Sequence, residues 1–138
     1  MKVIFDATFG ENWVDALTLF FRTYKEPRPR FQHIYDAFGR DVKDDEWIPK
    51  LAAELECLIV TCDAGRREPR LPDICKQCNK SYVVFSPSLH HSNKFTQARA
   101  IVELWPEIER AMNAPVGSHF QIQTTDAAHE HFKLVKKE

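Results

Sequence analysis

The chain has 138 residues, 43% of them hydrophobic and 28% charged, with a formal net charge of −1. That length suits one compact domain and is short for two, and no apolar run approaches the roughly 18 residues of a membrane span. A near-neutral molecule makes no whole-surface case for holding a polyanion, although Arg22, Lys25, Arg28 and Arg30, and later Arg66, Arg67 and Arg70, are local runs of basic residues.

Lys2 to Phe5 reads as a short buried strand ending at Asp6. A charged residue after only three apolar ones is unlike a signal peptide, so the expected setting is the cytoplasm. Trp13, Ala16, Leu17, Leu19, Phe20 and Phe21 recur at helical spacing and predict a helix from Glu11 to about Tyr24. Pro27 and Pro29 end it. Phe31 to Tyr35 predicts a second strand, with Phe31, His33 and Tyr35 alternating against Gln32 and Ile34, and Phe38-Gly39-Arg40 predicts a turn. Asp44 or Asp45 caps a helix expected to reach about Glu56, with Trp47, Ile48, Leu51, Ala52 and Leu55 on its apolar face and Pro49 in its first turn. The unbroken apolar run from Leu58 to Thr61 predicts a strand buried on both faces. An arginine-rich loop follows Asp63, then a helix over 72–79, a strand over 82–85, a loop over 86–91 and one long amphipathic helix over 95–112. A last edge strand is expected from His119 to Gln123. Residues 1–124 thus form the expected domain, and the polar tail 125–138 is open between helix, strand and disorder. Strands alternating with helices predict a three-layer α/β fold, with a mostly parallel central sheet of four to five strands flanked by helices.

Cys75 and Cys78 have the spacing of a metal or redox pair, and Cys57 with Cys62 could complete four thiolates around zinc. Cys57 and Cys62, however, flank a strand that separates them by roughly 16 Å, and their odd spacing points them to opposite faces. Free thiols of a reducing compartment, buried or semi-buried, are the expected state.

Ligands of open parallel sheets bind beyond the carboxyl ends of the strands. Asp6 ends the first strand and Asp63 follows the Leu58–Thr61 strand, so both project from that edge. Asp45 opens a helix that follows a loop from the same edge. Grouped carboxylates repel one another unless a cation lies among them. Oxygen donors without nearby histidine or a cysteine set select Mg²⁺ or Mn²⁺ over zinc. Taken singly, each acid has an ordinary structural use, as a turn former or helix cap; their common placement points to a metal site. Adjacent His90 and His91, if strand-like, point opposite ways, so at most one enters a site. Trp13, Trp47 and Trp105 fall on apolar helix faces and are expected in the core.

Asp6 after the first strand, then Asp45-Glu46-Trp47-Ile48 leading into Leu51-Ala52, then Val60-Thr61-Cys62-Asp63, resembles the PIN-like superfamily, including VapC-like toxins of bacterial toxin–antitoxin pairs. The likeness covers roughly residues 2–110, and the Asp45–Asp63 block is its most specific part. It implies a Mg²⁺- or Mn²⁺-dependent endoribonuclease whose metal is held by Asp6, Asp45 and Asp63, with Asp44, Glu46, Thr61 and Ser86 as auxiliary residues. On the same likeness Thr61 orients the ligands through its hydroxyl, and Arg66 and Arg67 clamp a substrate phosphate. The implied partners are an RNA substrate, an antitoxin that covers the acids by placing an arginine among them, and a second copy docked through the Trp13–Tyr24 helix. Two departures stand out. Ala7-Thr8 follow Asp6 where relatives carry an acid and an asparagine, and Ser86 and Ser88 replace a fourth acid. They favour an alternative from another class, a noncatalytic PIN-like module that holds a protein or RNA without cutting it. A phospho-acceptor receiver domain also gathers acids at strand ends, but it requires paired acids after the first strand, which Ala7-Thr8 do not supply.

Overall fold

The computed structural model describes residues 1–26, 28–63, 65, 70–126 and 131–137, with side chains through Ile122. Its centre is a six-stranded sheet: β1 (Lys2–Phe5), β2 (Arg30–His33), β3 (Cys57–Thr61), β4 (Ser81–Val84), β5 (His119–Asp126) and β6 (His131–Lys137), in the spatial order β2-β1-β3-β4-β5-β6. The first five strands are mutually parallel. β6 returns antiparallel along β5, so β5 is an interior strand rather than the expected edge.

Burial divides the strands as the pleat requires. All five residues of β3 are buried. Leu58, Val60, Val3 and Phe5 face one hydrophobic cluster, while Ile59, Cys57 and Ile4 face another. The first face is covered by helices α1 (Val14–Phe20), α6 (Lys94–Glu103) and α7 (Trp105–Met112), which contribute Val14, Leu17, Ile101 and Ile108. The second is covered by α2 (Ile34–Phe38), α3 (Asp44–Lys50) and α4 (Leu71–Gln77), which contribute Ile34, Trp47, Ile48, Leu71 and Ile74. The result is the expected three-layer α/β sandwich. Cys57 and Cys62 do lie in opposite clusters, and the cysteines are free. Trp13, Trp47 and Trp105 are buried, as expected. Among the described residues, no helix is long and apolar enough to cross a membrane.

Several boundaries differ from the sequence reading, each for a local reason. The second strand stops at His33, whose Nδ1 accepts from the Tyr35 amide at 3.1 Å and so starts α2. The first helix begins at Val14 because residues 10–13 are drawn into the preceding loop, and its end tightens into a 3₁₀ turn over Phe21–Thr23. Pro49 lies inside α3, beyond its first turn, and the helix ends just after it at Lys50. The long C-terminal helix is two helices: α6 stops at Glu103, and α7 starts with Pro106 in its first turn, where no amide is needed. The loop before α6 contains a short helix, α5 (Pro87–His90).

β1 lies between β2 and β3, so the chain leaves β1 to one side and later returns past it to the other. In open α/β sheets this change of direction opens a crevice beyond the carboxyl ends of the two strands concerned. Here those strands are β1 and β3.

Candidate functional site

Asp6 stands in that crevice, bonded to the sheet by its amide, which donates to the Val60 carbonyl at 3.2 Å. Its side chain then closes a short Asx turn, because Oδ1 accepts from the Thr8 amide at 3.0 Å. The Thr8 hydroxyl donates to the same oxygen, and the Thr61 hydroxyl, from the end of β3, donates to Oδ2. Each hydroxyl is itself fixed by a backbone donor: Thr8 Oγ1 accepts from the Cys62 amide at 2.8 Å, and Thr61 Oγ1 from the Asp63 amide at 2.9 Å. The carboxylate is therefore gripped at both oxygens by hydroxyls tied to consecutive amides of the β3–α4 loop.

Asp6 is only 3% exposed. Burial raises its pKa to about 7, against the pull of the Thr61 and Thr8 hydrogen bonds, and the charge of Asp44 adds to the rise. Asp44, in the first turn of α3, is half-buried with Oδ1 accepting from Trp47 Nε1 at 2.9 Å. Its pKa is also raised, first by burial and then by the charges of Asp63 and Asp45, while the Trp47 bond opposes the rise. Asp63 is half-buried, and its Oδ1 accepts from the Gly65 amide at 2.8 Å. Electrostatically, then, Asp44 links Asp6 to Asp63. The neighbouring Cys62 thiol is pushed up to about 12 by burial and by the charge of Asp6, which keeps it protonated and inert.

The remaining expected residues are placed differently. Asp45 and Glu46 are exposed on the outer side of α3. Ser86, half-buried just past β4, shares a 2.9 Å hydrogen bond with Ser88. Arg66 and Arg67 lie outside the described residues. His90 and His91 are both exposed and stack on each other, with ring centroids 4.7 Å apart. The expectation that they point opposite ways fails because the chain there is helical rather than extended. Among the described residues, no three His, Cys, Asp or Glu side chains gather as a ready-made metal cage.

The sequence reading passed over Thr8, treating it only as a departure. The signal was the Asp-x-Thr spacing, which suits an Asx turn. The inward role of Asp44 was legible too, since 44, 47, 48 and 51 share one helical face. No local pattern pointed to His33, whose Nε2 donates to the Phe9 carbonyl at 2.8 Å and holds the loop beyond Asp6. That ring must carry its proton on Nε2, since Nδ1 is an acceptor.

A family model described as a PIN-like domain matches residues 1–85, which contain Asp6, Asp44 and Asp63. Comparison with curated proteins and with solved structures returns no match.

Proposed function

The chain belongs to the PIN-like domain family, a superfamily of nuclease type, and on that premise we propose that it is a Mg²⁺- or Mn²⁺-dependent endoribonuclease. The observation that carries this reading is Asp6: a buried carboxylate, oriented at both oxygens, whose nearest electrostatic neighbour is another acid. Among the described residues, none of the ion pairs involves Asp6, Asp44 or Asp63. An acidic group of this kind is stable in its charged form when a hard cation lies beside it, and oxygen donors suit Mg²⁺ or Mn²⁺.

Asp6, Asp44 and Asp63 would hold the ion, with Asp44 taking the place the motif suggested for Asp45. When bound, the ion supplies Lewis-acid polarisation of a phosphate oxygen and a water of lowered pKa. The chain's own part is orientation. Thr8 and Thr61 fix the plane of the Asp6 carboxylate, and Trp47 fixes Asp44 on the buried side of α3. The finer reading is a toxin whose antitoxin inserts an arginine among these acids. It rests on the VapC-like motif alone. Self-association through α1 is supported by Leu19 and Phe20, which are 69% and 63% exposed; light scattering on the purified chain tests it.

Purified protein incubated with single-stranded and structured RNA, in Mg²⁺, Mn²⁺ or EDTA, tests the main reading. Cleavage is expected only with metal. Asp6→Asn, Asp44→Asn and Asp63→Asn should each lower the rate on the order of a hundredfold, whereas Asp45→Asn should stay within a few-fold of wild type. Equal cleavage by all variants would remove these acids from the chemistry. The Ser86–Ser88 pair, standing where relatives carry a fourth acid, favours the second reading of a module that binds without cutting. RNA retention with no cleavage in either metal is its signature.

A further inference from the structure

Gln97 lies in α6, outside the stretch matched by the family model, and is 4% exposed. Its Oε1 accepts from the Gly10 amide at 3.0 Å and from Trp13 Nε1 at 3.1 Å. Both partners can only donate, so the orientation of the amide is fixed. Its Nε2 then faces three carbonyls: Leu89 at 3.1 Å, Thr8 at 3.4 Å and His90 at 3.5 Å. One buried side chain thus joins the β1–α1 loop, the start of α1, and the end of α5.

The loop it joins is the one that grips Asp6. Thr8 gives both its amide and its hydroxyl to Asp6 Oδ1, and its carbonyl faces Gln97. Next in the chain, the Phe9 carbonyl is held by His33, and then the Gly10 amide by Gln97. Three successive residues are therefore fixed from outside the loop, two of them by Gln97. An apolar residue of equal size would fill the same space but would leave the Thr8 carbonyl without the Gln97 amide, with Thr8 held only through its amide and hydroxyl by Asp6 and Cys62.

We propose that Gln97 is a positioning residue for the acidic site, acting through Thr8 to set the orientation of the Asp6 carboxylate. The inference deepens the nuclease reading and rests on it wherever activity is the readout. The contact geometry can also be tested without activity.

The variants are Gln97→Met, which keeps the length and removes the amide, and Gln97→Glu, which keeps the acceptor for Gly10 and Trp13 but loses the donor toward Thr8. Amide hydrogen exchange by NMR on the metal-free full chain gives the first readout. In both variants the Thr8 amide is expected to exchange about tenfold faster, the equivalent of roughly one hydrogen bond, while Val60 in β3 keeps its protection. In Gln97→Glu, Gly10 keeps its protection as well. Unchanged exchange at Thr8 in a folded variant overturns the proposal; should Gln97→Met fail to fold, Gln97→Glu decides. RNA cleavage in Mn²⁺ gives the second readout. Gln97→Met should lower kcat with KM unchanged, and combined with Thr8→Val it should lose less than the product of the two single losses. Losses that simply multiply overturn the proposal. If wild type cuts nothing, the nuclease reading falls and the exchange data alone decide the role of Gln97.

Discussion

Asp6 titrates near 3.8 as a free side chain and near 7 in the fold, because burial disfavours its charged form. The folded state therefore binds this proton more tightly than the unfolded chain. The associated stability is fully present below pH 4 and is lost as pH rises through 7. A gap of that size corresponds to about 4 kcal/mol. In EDTA, Asp6→Asn should keep this stability at every pH. The variant is therefore expected to gain on wild type between pH 4 and 8, read by urea denaturation; a constant difference across that range would rule out ionisation of Asp6 as the source. Trp47→Phe removes the donor to Asp44 Oδ1 and part of a fully buried side chain, and should cost about 1–3 kcal/mol and lower activity. The positions of Asp6 and Asp63 were legible because strand ends and the crevice rule place them without further help. The difference between Asp44, half-buried toward Trp47, and Asp45, exposed, turned on helix phase, which the motif does not encode. Thr8 and Gln97 act through loop geometry that no periodicity encodes.

At the scale of elements, β1 and β3 announced themselves as short apolar runs, because strands buried on both faces have no polar positions to confuse the pattern. The misplaced boundaries involve residues whose side chains serve the backbone. His33 continues an apparent alternation but caps a helix, and Pro106 sits in an otherwise continuous amphipathic stretch. The turn into β5 depends on Gly117, with φ of +86°, whose amide donates to Ser81 Oγ at 2.9 Å. A Cβ there would stand 2.3 Å from Asn79 Oδ1. Asn79 can swing aside, but the backbone angle remains unfavourable for any side chain. Gly117→Ala is expected to cost about 1–2 kcal/mol, visible as a lower Tm with cleavage unchanged at 25 °C. An unaltered Tm would show that the turn relaxes freely.

For the whole molecule, the matched stretch and the structural unit do not coincide. Residues 1–85 carry every acid of the candidate site, yet one face of their sheet is covered by Ile101, Leu104, Trp105 and Ile108 from α6 and α7. A chain cut after Phe85 would leave Val3, Phe5, Leu58, Val60 and Val83 without much of their cover. It should show no cooperative unfolding by far-UV circular dichroism and should aggregate. A soluble truncation with a sharp transition would mean that the sheet needs only α1 on that side. The antiparallel β6 lies in the tail that the sequence left open between helix, strand and disorder, and its partner is β5, the strand expected at the edge.

The bond between Thr61 and Asp6 joins residues 55 apart in sequence, across the adjacent strands β1 and β3. A growing polypeptide that has emerged past Asp63 but not past Met112 already holds all the carboxylates, yet one sheet face has only α1 to cover it. Long-range pairing of this kind forms slowly compared with local helices. On the nuclease reading proposed above, the acidic site is thus completed only after most of the chain has been released, and regain of cleavage after dilution from urea should trail the return of helical signal.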